Sequence, residues 1–140
     1  MSAEQPQRPS RPRYTLDEFN AAAKAQAPTS DDVAFVCVRC GTVQSTRTFL
    51  AYQIPRTQAD AAIGYACVGR YRGVPAGVGC DWTCGGLLRD LGRGMLVTTP
   101  DGREHTRFPF ATRAEAEDLV ARGGAAFKRQ GSPEVPPDFR

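Results

Sequence analysis

Five cysteines are the residues of this chain best suited to chemistry. Cys37-Val38-Arg39-Cys40-Gly41 sets two thiols two residues apart on one side of a tight turn, and Gly41 can take the positive φ that such a turn needs. The N–H groups of a turn of this kind point at the sulfurs and favour their thiolate form. Three further cysteines, Cys67, Cys80 and Cys84, compete to complete a tetrahedron. Cys80 and Cys84 are the closer pair in sequence, whereas Cys67 and Cys80 place one ligand on a strand and the other at a loop end, as in a zinc ribbon. Val68-Gly69 after Cys67 permits a turn, and Cys84 precedes Gly85-Gly86 on a segment that reads as apolar filler. Spacing leaves Cys67 and Cys84 both open as the fourth ligand; Cys37, Cys40 and Cys80 belong to either set.

A mononuclear, closed thiolate site asks for no redox role, which favours structural zinc, although thiolate number does not by itself separate zinc from iron. The rival is a redox dithiol, which needs its first cysteine at a helix N-terminus so that its pKa falls. Here Gly41 and Val43 follow the pair and no helix is expected immediately after it. A structural site contributes on the order of 10 kcal/mol to folding, comparable with the whole stability of a small domain. With 14 glycines and 11 prolines in 140 residues, the elements must be short and the loops numerous, so a metal staple fits the composition.

Other chemistry is thinly represented. No paired carboxylates, phosphate loop, GxSxG or HExxH pattern is present. His105 is the single histidine, and a Cys84–His105 pair is the one route to a cysteine-dependent enzyme, with a surface role for His105 as the simpler reading. Net charge is +3, and Lys24 and Lys128 are the only lysines among 18 basic residues. Arg70, Arg72, Arg89 and Arg93 with Tyr65, Tyr71 and Trp82 would suit a basic face with stacking platforms for single-stranded nucleic acid. Four thiolates and one dication together add two negative charges, however, which moves the net charge to about +1 and weakens that argument. Gln44-Ser45 and Arg70 are alternatively groups that support the thiolates, and Trp82 beside a ligand is more often a lid over the metal.

The elements that must position these groups are short. Residues 1–13 alternate Pro and Arg and are expected to form a disordered tail, without the apolar run of a secretory signal. Thr15-Leu16-Asp17-Glu18 is a capping box that opens a helix within 14–28, its apolar face formed by Leu16, Phe19, Ala22 and Ala23. A zinc-binding core spans 31–124. Val33 to Cys37 is a strand feeding the first cysteine pair, Thr46 to Gln53 a short helix, Ala61 to Ile63 a further helical turn, and Tyr65 to Tyr71 a strand. Met95–Thr99 and Glu104–Phe110 flank the turn Pro100-Asp101-Gly102 as a hairpin. Thr112-Arg113-Ala114-Glu115 opens a last helix, and 125–140 is expected to be a tail. The longest strongly apolar run, Val33 to Val38, is too short to span a bilayer. These elements predict an α+β fold: a small zinc-ribbon-like antiparallel sheet, a C-terminal hairpin and short flanking helices.

Three blocks carry a resemblance. Phe35-x-Cys37-x-x-Cys40-Gly41-Thr42-Val43-Gln44-Ser45, Ile63-Gly64-x-x-Cys67-Val68-Gly69-Arg70 and Gly79-Cys80-x-Trp82-Thr83-x-Gly85-Gly86-Leu87 occur in that order, followed by Asp101-Gly102, His105, Phe108 and Ala111-Thr112. Over roughly 33–120 the chain resembles a family of short proteins carried by phages and prophages. That resemblance implies the ligand set Cys37, Cys40, Cys67 and Cys80, with the position of Cys84 usually apolar. It implies no activity. The expectation is a non-enzymatic, cytoplasmic binding protein with a structural zinc site that acts on a host protein, with nucleic-acid binding as the alternative and a cysteine-dependent enzyme as the third reading.

Overall fold

The computed structural model describes residues 11–129. The tails expected at the two ends fall largely outside them. Strand β1 (Arg13–Thr15) leads without a break into helix α1 (Leu16–Gln26), and Thr15 makes the expected capping box with Glu18. A 3-10 turn at Ser30–Asp32 precedes β2 (Ala34–Val36), the cysteine turn and β3 (Thr42–Ser45). Helices α2 (Thr46–Ala51) and α3 (Arg56–Ala62) follow, then a 3-10 turn at Val68–Arg70 and a long loop. The hairpin β4 (Met95–Thr98) and β5 (Glu104–Arg107), helix α4 (Arg113–Ala121) and a two-residue β6 (Phe127–Lys128) complete the order.

The fold is α+β, and its strands form two three-stranded sheets. In one, β4 lies between β1 and β5, parallel to the first and antiparallel to the second; Leu96 faces Arg13 and Thr106. In the other, β3 lies antiparallel between β2 and β6, with Val43 facing Val36 and Phe127. Three apolar groups fill the interior. Phe35 stacks with Phe19 and Phe110 where α1 meets β2, and Phe108 and Met95 lie in the same cluster. Leu119 and Ala116 of α4 cover Ala34, Val36 and Val43, while Phe49 and Ile54 close over Ala62, Ala66 and Val68.

Gln26, at the end of α1, is the polar stitch of this core. Its amide nitrogen donates to the carbonyls of Ala34 and Ala111, both at 2.8 Å, and its amide oxygen accepts from Ala34 N at 2.7 Å. One side chain thereby satisfies Ala34 N and Ala111 O and adds a second donor to Ala34 O, which also accepts from Ala111 N at 3.0 Å.

Several elements differ from expectation: Arg13, placed in the tail, opens β1, and Thr42–Ser45 is an additional strand. Tyr65–Tyr71 is a single bridge, Ala66 to Thr83, followed by the 3-10 turn. The reason is close approach: a Cβ on Gly69 would lie 2.5 Å from Cys80 N, so the chain turns there against backbone. After Gly124 the chain returns to β3 through Phe127–Lys128, and Arg129 N donates to Gly41 O at 2.8 Å. The part of the expected tail that begins at 125 therefore includes a sheet strand.

Candidate metal centre

Each cysteine of the cluster is delivered by a different local device. Cys37 leaves β2, and its N–H donates to Thr42 O while its carbonyl accepts from Gly41 N, both at 3.0 Å. Gly41 has φ +74°, so the turn closes without the clash a side chain would bring and Cys40 faces back toward Cys37. Cys67 is fixed by its N–H to Trp82 O at 3.0 Å. Cys80 follows Gly79, where φ is +69° and a Cβ would stand 2.9 Å from the Cys67 sulfur. Glycines 41, 69 and 79 are thus demanded by conformation or by space.

The structure brings Cys37, Cys40, Cys67 and Cys80 together, with all sulfurs within 4.8 Å of one another. Cys37 Sγ lies 3.6 Å from Cys80 Sγ, and Cys40 Sγ 3.8 Å from Cys67 Sγ. A thiolate–zinc bond of about 2.3 Å gives a tetrahedron with edges of roughly 3.8 Å. The sulfurs are too far apart for disulfides and close enough to share one ion. The four residues could therefore hold a metal.

Hydrogen bonds support the sulfurs from outside. Cys80 N donates to Cys67 Sγ at 3.3 Å, and Thr42 Oγ1 lies 3.0 Å from Cys40 Sγ. Gln44, fully buried on β3, points its amide nitrogen at Cys67 Sγ from 3.5 Å while its oxygen accepts from Val68 N at 2.8 Å. Within the tetrad, hydrogen bonds from Cys37, then Cys67 and Cys80, hold the Cys40 thiol below its ordinary value, and Cys67 falls to about 7 with Cys37 again the leading donor. Cys37 is raised, chiefly by its hydrogen bond to Cys40. Of the supporting groups expected from sequence, Gln44 reaches a sulfur; Ser45 instead caps α2, and Arg70 donates to Asp81 O. Thr42 was not singled out, and its position two residues after Cys40 is its only signal.

Cys84 lies outside the tetrad, buried in the same apolar cluster as Met95 and Phe108. Burial, followed by the nearby Asp90 carboxylate, pushes its thiol up to about 12. His105 is placed on β5 with Nε2 3.2 Å from Thr99 Oγ1, and among the described residues no hydrogen bond joins it to Cys84. The expected stacking platforms are engaged within the protein. Arg107 lies 4.9 Å over the Tyr65 ring, Tyr71 packs edge-on to Phe49, and Trp82 donates its indole N–H to Arg89 O at 2.8 Å.

At the Val33 end of β2, the end away from the cysteine turn, lies a cleft of about 440 Å³. Its floor includes Phe19, Val33, Phe35 and Ile63, and its rim carries both signs of charge. There Arg56 forks onto Asp31, Nη1 to Oδ1 at 3.1 Å and Nη2 to Oδ2 at 2.8 Å. No helix among the described residues is long and apolar enough to cross a membrane.

A family model described as VVA0879-like matches residues 15–111, a span that contains all five cysteines, the cleft and the hairpin. No curated protein and no solved structure matches the chain.

Proposed function

The chain belongs to the VVA0879-like family, and from that premise we propose that it is a non-enzymatic binding module, built round one structural zinc ion on Cys37, Cys40, Cys67 and Cys80, that acts on a protein partner. The observation that carries this reading is the closed tetrad. Four thiolates fill a tetrahedron and leave no position for water or substrate, which is how structural zinc sites differ from catalytic ones. Bound zinc would supply cross-linking and charge neutralisation; the chain's own residues do the rest. Gln44, Thr42 and Cys80 N direct hydrogen bonds at the sulfurs and hold them in place. The buried, proton-holding Cys84 supports the absence of a cysteine nucleophile.

The cleft supports a protein ligand over a nucleic acid. A phosphate backbone laid across it would meet Asp31 and Asp60 as well as Arg56 and Arg107, whereas a peptide with an apolar residue and charges of both signs suits such a mixed rim. Tyr65, Tyr71 and Trp82, already engaged, offer few free faces to bases. The resemblance to phage-borne proteins directs the reading further, to a protein of a bacterial host and to inhibition or counter-defence in the cytoplasm, where thiols stay reduced and available to zinc.

The test is affinity capture with the zinc-loaded protein from nuclease-treated host lysate, run beside a low-salt gel shift with DNA and RNA. One protein recovered by the wild type and lost with Asp60→Arg is the expected result. A retained gel shift whose affinity falls linearly with log salt, without a captured protein, would favour nucleic acid instead.

A further inference from the structure

Between Thr83 and Met95 the chain forms a loop whose shape is set by its own interior. Asp90, 1% exposed, accepts from Gly92 N at 3.0 Å through one oxygen and from Gly94 N at 3.1 Å through the other, and Arg11 approaches to 3.2 Å. The Trp82 indole holds the Arg89 carbonyl. Arg89 and Leu91 are held at φ +48° and +55°, a left-handed conformation that non-glycine residues adopt only when their surroundings impose it. The outcome of this construction is a leucine in water. Leu87 is 99% exposed and Leu88 41% exposed. Because Asp90 is turned inward, the charge the loop tip offers outward is that of Arg89.

A complementary surface exists elsewhere on the same chain. The end of α1 (Gln26, Ala27, Pro28) and one side of α4 (Ala116, Glu117, Val120) enclose a groove of about 330 Å³. Its walls are nearly all apolar, Val120 is 47% exposed, and the charged residue on its edge is Glu117, whose Oε1 pairs with Arg113 at 3.3 Å in an exposed contact that an incoming guanidinium can share. Groove and tip match in kind: apolar centre to apolar centre, carboxylate to guanidinium.

We propose that the Leu87–Leu88 tip of one chain docks in the α1–α4 groove of a second copy, with Arg89 reaching Glu117. Tip and groove are different patches, and the contact is heterologous: a pair joined by one such contact still presents one free tip and one free groove between them. Association then continues past the dimer, or closes into a ring. This assembly uses neither the metal centre nor the cleft and stands independently of the function proposed above.

The experiment is sedimentation of the full-length, metal-loaded protein over a wide concentration series. Wild type should rise in average mass beyond a dimer. Leu87→Asp, which lacks the tip, and Val120→Asp, which lacks the groove, should each remain monomeric, their self-dissociation constants raised on the order of tenfold or more. Both positions are exposed, and metal content and far-UV spectra check that folding is intact. Mixed together, the two variants keep one intact tip and one intact groove between them and should form a dimer that grows no further. A wild type that stays monomeric throughout, a Leu87→Asp variant that associates normally, or a mixture that does not pair would each overturn the proposal.

Discussion

The amide nitrogen of Gln44 lies 3.5 Å from the sulfur of Cys67, and the oxygen of the same amide takes the N–H of Val68, the residue after that cysteine, at 2.8 Å. A side chain on the middle strand of one sheet thus orients the sulfur and shapes the turn that carries it. Gln44→Leu removes both contacts at nearly constant volume. Metal affinity, measured by competition with a chromophoric chelator, should fall about tenfold or more, as for other groups that orient metal ligands. An unchanged affinity would show that the sulfur contact is idle.

Chelation should unfold the core. On this reading zinc contributes about 10 kcal/mol, as much as the domain's whole expected stability. A strong chelator should therefore collapse amide NMR dispersion, and zinc should restore it. Serine at 37, 40, 67 or 80 should abolish stoichiometric metal, and Cys84→Ser should retain it. Loss of metal in Cys84→Ser with retention in Cys67→Ser is the opposite pattern and would mean the wrong fourth ligand.

Two glycines near the centre separate crowding from backbone preference. A Cβ on Gly69 would stand 2.5 Å from Cys80 N, while Gly73, at φ +86°, has nothing within 4 Å of the added atom. Gly73→Ala should cost about 1 kcal/mol in unfolding free energy, from conformation alone. Gly69→Ala must displace the Cys80 backbone and should cost several times more, on the order of 3 kcal/mol, with weakened metal binding. Equal losses by thermal denaturation would remove the packing argument.

Cys84 predicts a dependence on alkaline pH. Its thiol sits at about 12 in the folded protein against an ordinary 9.0, with burial the leading cause. The folded state therefore keeps a proton that the unfolded chain releases, and stability should fall as pH rises from about 9 toward 12, by at most about 1.4 kcal/mol per pH unit. Below pH 9 the group contributes no slope. Cys84→Val should flatten this part of the curve when urea midpoints of the two proteins are compared. Identical slopes would mean that Cys84 ionises freely in the fold.

Gln26→Leu tests the polar stitch. It strands Ala34 N and the Ala111 carbonyl, and leaves the Ala34 carbonyl with the Ala111 N–H alone. Urea denaturation should register a loss of about 2–4 kcal/mol, more than a surface glutamine could give.

What could be read directly from sequence was local. The capping boxes at Thr15 and Thr112 and the Cys37–Gly41 turn lie within a few residues of chain, and residue type there suffices. The choice between Cys67 and Cys84 was not legible in spacing, because it depends on a non-local pairing: Cys67 N on Trp82 O and Cys84 N on Tyr65 O decide which sulfur faces the first pair. Strand β3 escaped notice because Thr42, Val43, Gln44 and Ser45 are all buried, so no alternation of polar and apolar residues marks it. Phe127–Lys128 is too short to show any period. The Asp90 anchor likewise looks like one more charge in a polar loop until Gly92, Gly94 and Arg11 are seen around it.

The paired sulfurs also set an order of events at birth. Cys37 meets a partner 43 residues later in the chain and Cys40 one 27 later, so one loop is nested inside the other. During synthesis the first two thiols emerge from the ribosome well before Cys67 and Cys80, and the strand that backs their turn, β6, comes later still. If the tetrad holds zinc as proposed, an ion caught early would have two protein ligands and exchange readily, and would be locked in only when the last cysteine arrives. On that reading the half-formed site sets the pace of maturation, and cells poor in available zinc should accumulate full-length chains that remain open to proteases.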